Sequence, residues 1–213
     1  MKIIYGHGRK NQRVGNMIDL YDFVAALNAA SLPTDIINPS ASGMAANIIL
    51  QTWKVKHGQR FITNFVLGEM GAGLPYSIGA AMATGKRIIH IEGDGGFQLN
   101  IQELETIRRL NLPIIMFIIN NNGYASIRES QQRAFGRLTG ADNTSGVTLP
   151  ELWQVAETYK LGYRAIYDND PIKLDMSPAL IEVAVRPDQQ YRHRVKSHLR
   201  DGKMVTDSMD MVD

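Results

Sequence analysis

The strongest constraint on this chain is a pair of almost wholly apolar runs, "RIIHIE" at 87–92 and "PIIMFII" at 113–119, on either side of one stretch with helical period. A strand that is apolar at nearly every residue has to be covered on both faces, as inside a parallel sheet flanked by helices. The intervening "NIQELETIRRL" brings Ile101, Leu104 and Ile107 to one face, and Asn100 and Glu103 stand at the spacing of a capping box. The spacing predicts a helix over 100–110. Two strands joined by such a crossover run parallel, so the residues just past their ends, Asp94 and Asn121, are predicted to emerge on one edge of the sheet.

The same alternation runs through most of the chain. Further apolar runs at 35–38, 61–63, 163–166 and 179–185 alternate with helical patterns around 43–55, 72–84, 125–135 and 149–161. This predicts an α/β fold with a mostly parallel central sheet of about six strands and helices on both faces. Residues 1–20, where Gly6, Gly8 and Gly15 sit among basic and polar neighbours, read as a linker or the end of a preceding domain. Residues 21–187 read as the folded domain. From 188 to 213 the chain is polar and Met-rich without periodicity, which predicts an extended tail. His90, inside an apolar run, reads as a buried, hydrogen-bonded core residue.

Composition narrows the chemistry. The 213 residues include no cysteine, which excludes disulfides, thiolate metal sites and cysteine nucleophiles, so a metal has to sit on oxygen or imidazole. A formal charge of +2 with scattered basic residues gives no nucleic-acid footprint, and the basic segment 186–200 reads as a solvated tail. No run approaches the roughly 18 apolar residues of a membrane span and no signal-peptide pattern is present, so a cytoplasmic protein without membrane contact is the expectation.

The converging ends of the two strands carry the candidate site. The Asp94 carboxylate, the Asn121 amide oxygen and a carbonyl such as that of Gly123 are hard oxygen donors. They are too few to cage a cation and enough to share Mg²⁺ or Ca²⁺ with a diphosphate and water. Gly95 and Gly96 have no side chain to block close approach, and their N–H groups lie at the start of a helical stretch, where backbone donors favour an anion. A tight turn with a helix cap explains either motif alone; together, at adjacent strand ends, they read as a site. Other phosphate motifs do not fit. Gln98 stands where G-x-G-x-x-G needs its third glycine, and "GAAMATGKR" has Arg87 where a P-loop needs Ser or Thr.

"GDGGFQLNIQELETIRRLNLPIIMFIINN", with 24 residues between GDG and the first two asparagines, resembles the signature of thiamine-diphosphate enzymes. Upstream, "FITNFVLGEMGAGLPYSIGAAMATGKRIIHIEGDG" resembles the matching segment of acetolactate synthases and their decarboxylase relatives. The resemblance covers most of residues 18–190 and implies the pyrophosphate-binding domain of that superfamily, usually the C-terminal third of a longer polypeptide. It implies Asp94 and Asn121 as Mg²⁺ ligands with the Gly123 carbonyl, and Gly95 and Gly96 as donors to the diphosphate. It also implies Met70 as the apolar prop that bends thiamine diphosphate and the Gly68 carbonyl as acceptor for its 4′-amino group, although most methionines are core filler. The tail sequence "RVKSHLRDGKMV" resembles a segment that closes over the site as a lid.

Two stretches depart from the family pattern. Acetolactate synthases carry a Gly-Gln-His run at the diphosphate where this chain has Gly43, Met44 and Ala45; Ser40 or Ser42 can substitute, or serve as caps or turn residues. Ser126 and Ser130 stand where those synthases have large residues shaping the acceptor pocket. The glutamate that activates the cofactor comes, in the family, from a pyrimidine-binding domain on a neighbouring subunit, and no stretch here resembles that domain. Glu69 and Glu92 lie beside the wrong half of the cofactor for that role. The expectation is a Mg²⁺-dependent thiamine diphosphate-binding part of a 2-oxo acid carboligase or decarboxylase, an oligomer with no catalytic residue of its own and inactive without its partner. The alternatives are a simple 2-oxo acid decarboxylase subunit and a non-catalytic binding or regulatory subunit.

Overall fold

The computed structural model describes residues 16–192, 197–201 and 203–206. Its main sheet contains β1 (Ile36–Asn38), β2 (Arg60–Phe61), β3 (Ile88–Gly93), β4 (Ile114–Asn120), β5 (Gly162–Ile166) and β6 (Ala179–Ala184). They lie in the order β2-β1-β3-β4-β6-β5, and every pairing is parallel. Around the sheet are α1 (Leu20–Ala30), α2 (Gly43–Thr52), α3 (Gly73–Thr84), α4 (Asp94–Phe97), α5 (Leu104–Leu110), α6 (Ala125–Phe135) and α7 (Leu152–Thr158). The α/β architecture expected from the apolar runs is present.

Both faces are covered, as those runs require. Ile37, Ile89, Ile91, Ile115, Phe117 and Ile119 pack with α1 and α2, whereas Ile36, Ile88, Ile114, Met116 and Ile118 pack with α3, α5 and α7. The two-residue period of a strand thus distributes one apolar run between two cores.

Three elements differ from the sequence expectation. α1 was not anticipated: Asp19 caps it by accepting the N–H groups of Tyr21 and Asp22, and Leu20, Phe23, Val24 and Leu27 bury one face. Most of the expected linker, residues 1–15, lies outside the described residues; of its end, Ile18 bridges Val185 and Leu20 opens α1. The capping box does not form. The helical path begins earlier, at Asp94, and passes through a 3₁₀ stretch, Gln98–Glu103, that breaks at Asn100 (φ −135°, ψ 31°). A tertiary bond takes the Asn100 side chain instead, its Nδ2 donating to the Gly71 carbonyl at 2.9 Å, while Glu103 accepts from Thr106 Oγ1 at 3.0 Å. In the tail, where extended chain was expected, β7 (Ser197–Arg200) and β8 (Lys203–Thr206) pair antiparallel across Asp201, which has φ 53°. Asp-Gly at 201–202 is a hairpin signal. Residues 193–196, 202 and 207–213 of the expected lid lie outside the described residues. Among the described residues no helix is long and apolar enough to cross a membrane.

The strand order places a crevice. β1 pairs with β2 on one side and β3 on the other; the chain leaves β1 for α2 on one face and β3 for α4 on the other. Where successive connections part in this way, the carboxyl ends of the strands leave an opening that suits a ligand.

Candidate functional site

The opening beyond β1 and β3 is a cavity of about 250 Å³. Segments 40–45, 68–70, 92–96 and 121–127 contribute its walls, and all eight residues singled out above, Gly43, Gly68, Met70, Asp94, Gly95, Gly96, Asn121 and Gly123, line it. The structure brings them together from four loops. A second, more polar cavity of about 240 Å³ lies on the other side of Asp94, lined also by Asn120, Asn122 and Asn143.

Asp94 joins the two strand ends. Its Oδ1 accepts the Gly95 N–H at 2.8 Å, and its Oδ2 accepts the N–H groups of Asn121 at 3.2 Å and Gly123 at 3.0 Å. Burial pushes its carboxyl up to about 6, and the N–H groups of Gly123, Gly95 and Asn121 oppose that rise without cancelling it. A carboxylate offers about four lone-pair sites, so acceptor capacity remains for a cation. Asn121 is buried and its Oδ1 has no hydrogen-bond partner. An orphaned buried amide oxygen beside a carboxylate is a donor set that a hard divalent cation satisfies. Among the described residues there is no cluster of three His, Cys, Asp or Glu side chains, so that is the oxygen set available.

Glycine at these positions also suits the packing of the chain itself. A Cβ on Gly95 would lie 2.2 Å from Tyr124 Cε1, and one on Gly123, at φ +123°, would lie 2.5 Å from the Ala141 carbonyl oxygen. The space beside Gly95 is filled by this chain's own tyrosine.

The remaining sequence candidates divide. Met70 is 43% exposed at the cavity, so it is not core filler. Both Ser40 and Ser42 line the cavity; Ser40 is buried and donates to Glu92, whereas Ser42 stands at the start of α2 and makes no capping bond. Ser126 also lines the cavity, its hydroxyl 3.2 Å from that of Tyr191; Ser130 bonds the Ile127 carbonyl within α6. Glu69 is held by Asn64 at 2.9 Å and Tyr76 at 2.5 Å and does not line the cavity; Glu92 does. His90 is buried but not hydrogen-bonded: its Nε2 is 3.2 Å from Glu92 Oε2 without the alignment of a hydrogen bond. Sequence reasoning missed Arg128, whose guanidinium donates to the carbonyls of Asn121 at 2.7 Å, Asn122 at 3.0 Å and Pro187 at 3.2 Å. Its position one turn into α6, just past the asparagines, was the available signal.

Comparison with known proteins bears on this geometry. Residues 41–189 match the family model described as thiamine pyrophosphate enzyme, C-terminal TPP binding domain. The acetolactate synthase large subunit of Pyropia yezoensis is 31% identical over 188 residues, 82% of this chain and 30% of that protein. The acetolactate synthase large subunit of Cyanidium caldarium is 41% identical over 117 residues, 54% of this chain and 19% of that protein. The chain thus spans less than a third of either relative. A solved structure, the Rhodococcus jostii RHA1 thiamine diphosphate-dependent 4-hydroxybenzoylformate decarboxylase, superposes with a TM-score of 0.67 at 22% identity, over 87% of this chain and 36% of that one, and so shares the fold. With the family model covering well over half its length, the chain belongs to the thiamine pyrophosphate enzymes, as a C-terminal TPP-binding domain.

Proposed function

We propose that the chain is the Mg²⁺-dependent thiamine diphosphate-binding part of a 2-oxo acid carboligase or decarboxylase, completed by a pyrimidine-binding domain. The observation that carries the reading is the convergence of the Asp94 carboxylate and the partner-free Asn121 Oδ1 in a cavity also lined by Gly68 and Met70. In this reading Asp94, Asn121 and the Gly123 carbonyl hold the metal, the Gly95–Gly96 turn and the start of α2 at Gly43 face the diphosphate, and Gly68 and Met70 contact the ring half. Bound thiamine diphosphate supplies a nucleophilic carbon for the substrate carbonyl and a sink for the electrons released with CO₂. The chain's part is to bind, orient and exclude water. Among the described residues neither glutamate near the cavity is suited to be the base: Glu69 is engaged by Tyr76 and Asn64, and Glu92 is buried beneath the loop that carries Met70. Similarity to acetolactate synthase large subunits favours carboligation of 2-oxo acids, and Ser126 lines the cavity where the family resemblance implies a large acceptor-side residue.

Calorimetric titration tests the binding half of this reading. Thiamine diphosphate is expected to bind with Mg²⁺ present and to lose that affinity in chelator; equal affinity in both conditions overturns the metal assignment.

A further inference from the structure

One buried carboxylate in the cavity lies outside the set proposed to hold metal and diphosphate. Glu92, the residue before the last of β3, is 1% exposed. Its Oε1 accepts from Ser40 Oγ at 3.1 Å and from the Gly71 N–H at 3.3 Å, and its Oε2 has no hydrogen-bond partner. A Cβ on Gly96 would stand 2.8 Å from the same Oε1, so the β3–α4 turn is fitted against it as well. One oxygen therefore meets three loops of the cavity wall.

The loops are tied to each other around it. Ser40 is held at φ 61°, with its N–H donated to Asn38 Oδ1 at 3.0 Å and its carbonyl accepting from Thr63 Oγ1 at 2.5 Å. Asn38 Nδ2 donates in turn to the Gly73 carbonyl at 2.7 Å, on the far side of the loop that Glu92 holds at Gly71. Asp94, Asn121 and Gly123 are joined separately, through the Asp94 carboxylate. The wall has two fastenings that share no hydrogen bond, one through Asp94 and one through Glu92 under the Met70 loop, whose Gly71 carbonyl also accepts Asn100 Nδ2 at 2.9 Å.

We propose that Glu92 is a positioning residue for the ring half of the cofactor. By accepting Gly71 N–H and Ser40 Oγ at one oxygen, it sets the Met70 loop at a fixed height over the Gly95–Gly96 turn. The role is that of a buried acceptor, whose removal leaves two donors unsatisfied and the loop free to shift. The inference rests on reading this cavity as a thiamine diphosphate site. It goes beyond that reading by separating the residues that hold the diphosphate from the residue that aligns the remainder.

The test compares two ligands, thiamine diphosphate and inorganic diphosphate, each titrated calorimetrically in excess Mg²⁺ against wild type, Glu92→Ala and Glu92→Gln. Glu92→Ala is expected to lose at least tenfold in affinity for thiamine diphosphate and less than twofold for inorganic diphosphate. Glu92→Gln, whose amide oxygen accepts the same two bonds, is expected within threefold of wild type for both. Equal losses for the two ligands, an unchanged cofactor affinity in Glu92→Ala, or a glutamine variant as impaired as the alanine one overturns the proposal. Should Glu92→Ala not fold, Ser40→Ala removes one of the two donors; a loss of at least threefold confined to thiamine diphosphate supports the role, and an equal effect on both ligands or none overturns it. Failure of the wild type to bind thiamine diphosphate sinks the reading of the cavity itself, and shows before any substitution is made.

Discussion

Asp94 is asked to be buried and charged at once, and its surroundings leave the conflict visible. Burial pushes the carboxyl from 3.8 up to about 6 against three opposing N–H bonds. The folded value lies above the unfolded one, so the metal-free folded state holds the proton more tightly. The resulting stabilisation is present below the unfolded value and is lost as pH rises through the folded one, a difference of about 3 kcal/mol. Metal-free protein is therefore expected to melt at falling temperature as pH is raised from about 4 to about 6, with that slope absent in Asp94→Asn. Mg²⁺ with cofactor requires the ionised carboxylate and acts in the opposite sense, tightening over the same window. At neutral pH, Asp94→Asn removes the one charged ligand of the proposed site and is expected to weaken metal-dependent cofactor binding more than tenfold, over ~1.4 kcal/mol. Titration calorimetry with unchanged affinity would sink the assignment of Asp94 to the metal.

The loop from β4 into α6 owes its shape to a side chain that no short motif announces. Arg128 ties the carbonyls of Asn121 and Asn122 to that of Pro187, so the loop after β4 is fastened to the segment that follows the neighbouring strand β6. Charge-assisted bonds to carbonyls are stronger than neutral ones, and Arg128→Met is expected to cost about 2 kcal/mol in chemical denaturation and to weaken Mg²⁺-dependent binding severalfold. Denaturation and binding curves identical to wild type would remove Arg128 from this role. Elements set by local period were legible in the sequence: the apolar runs of β3 and β4 and the bounds of α6 are where the pattern puts them. So were Asp94 and Asn121, because parallel strands joined by a helix must end on one edge. α1 carried its own signal in Leu20, Phe23, Val24 and Leu27, at helical spacing, but it adjoins a glycine-rich stretch that reads as linker. The failure of the Asn100–Glu103 capping box, the node at Glu92 and the reach of Arg128 to Pro187 could not be read. Each depends on side-chain direction across roughly 20 to 60 residues of sequence, where no periodicity constrains the partner.

At the scale of the whole molecule, the described residues give the cavity an exposed apolar margin. Around Met70 the surface exposes Phe65 at 46%, Val66 at 94%, Leu67 at 76% and Leu99 at 54%. A contiguous apolar rim beside a ligand cavity is characteristic of a surface that another protein covers. In the proposed function that protein is the pyrimidine-binding domain, and it brings the activating glutamate. The purified chain is accordingly expected to bind thiamine diphosphate weakly and to turn over 2-oxo acids negligibly. Adding a pyrimidine-domain polypeptide from the same source should restore decarboxylation, and changing that partner's activating glutamate to glutamine should abolish it. Val66→Asp gives the surface its own test, because a side chain so exposed contributes little to this chain's folding. The variant should retain Mg²⁺-dependent cofactor binding and lose at least tenfold in the partner-restored rate. Restoration at the wild-type rate would move the docking surface elsewhere on the molecule, and robust decarboxylation of pyruvate by the chain alone would refute the division of labour between the two domains.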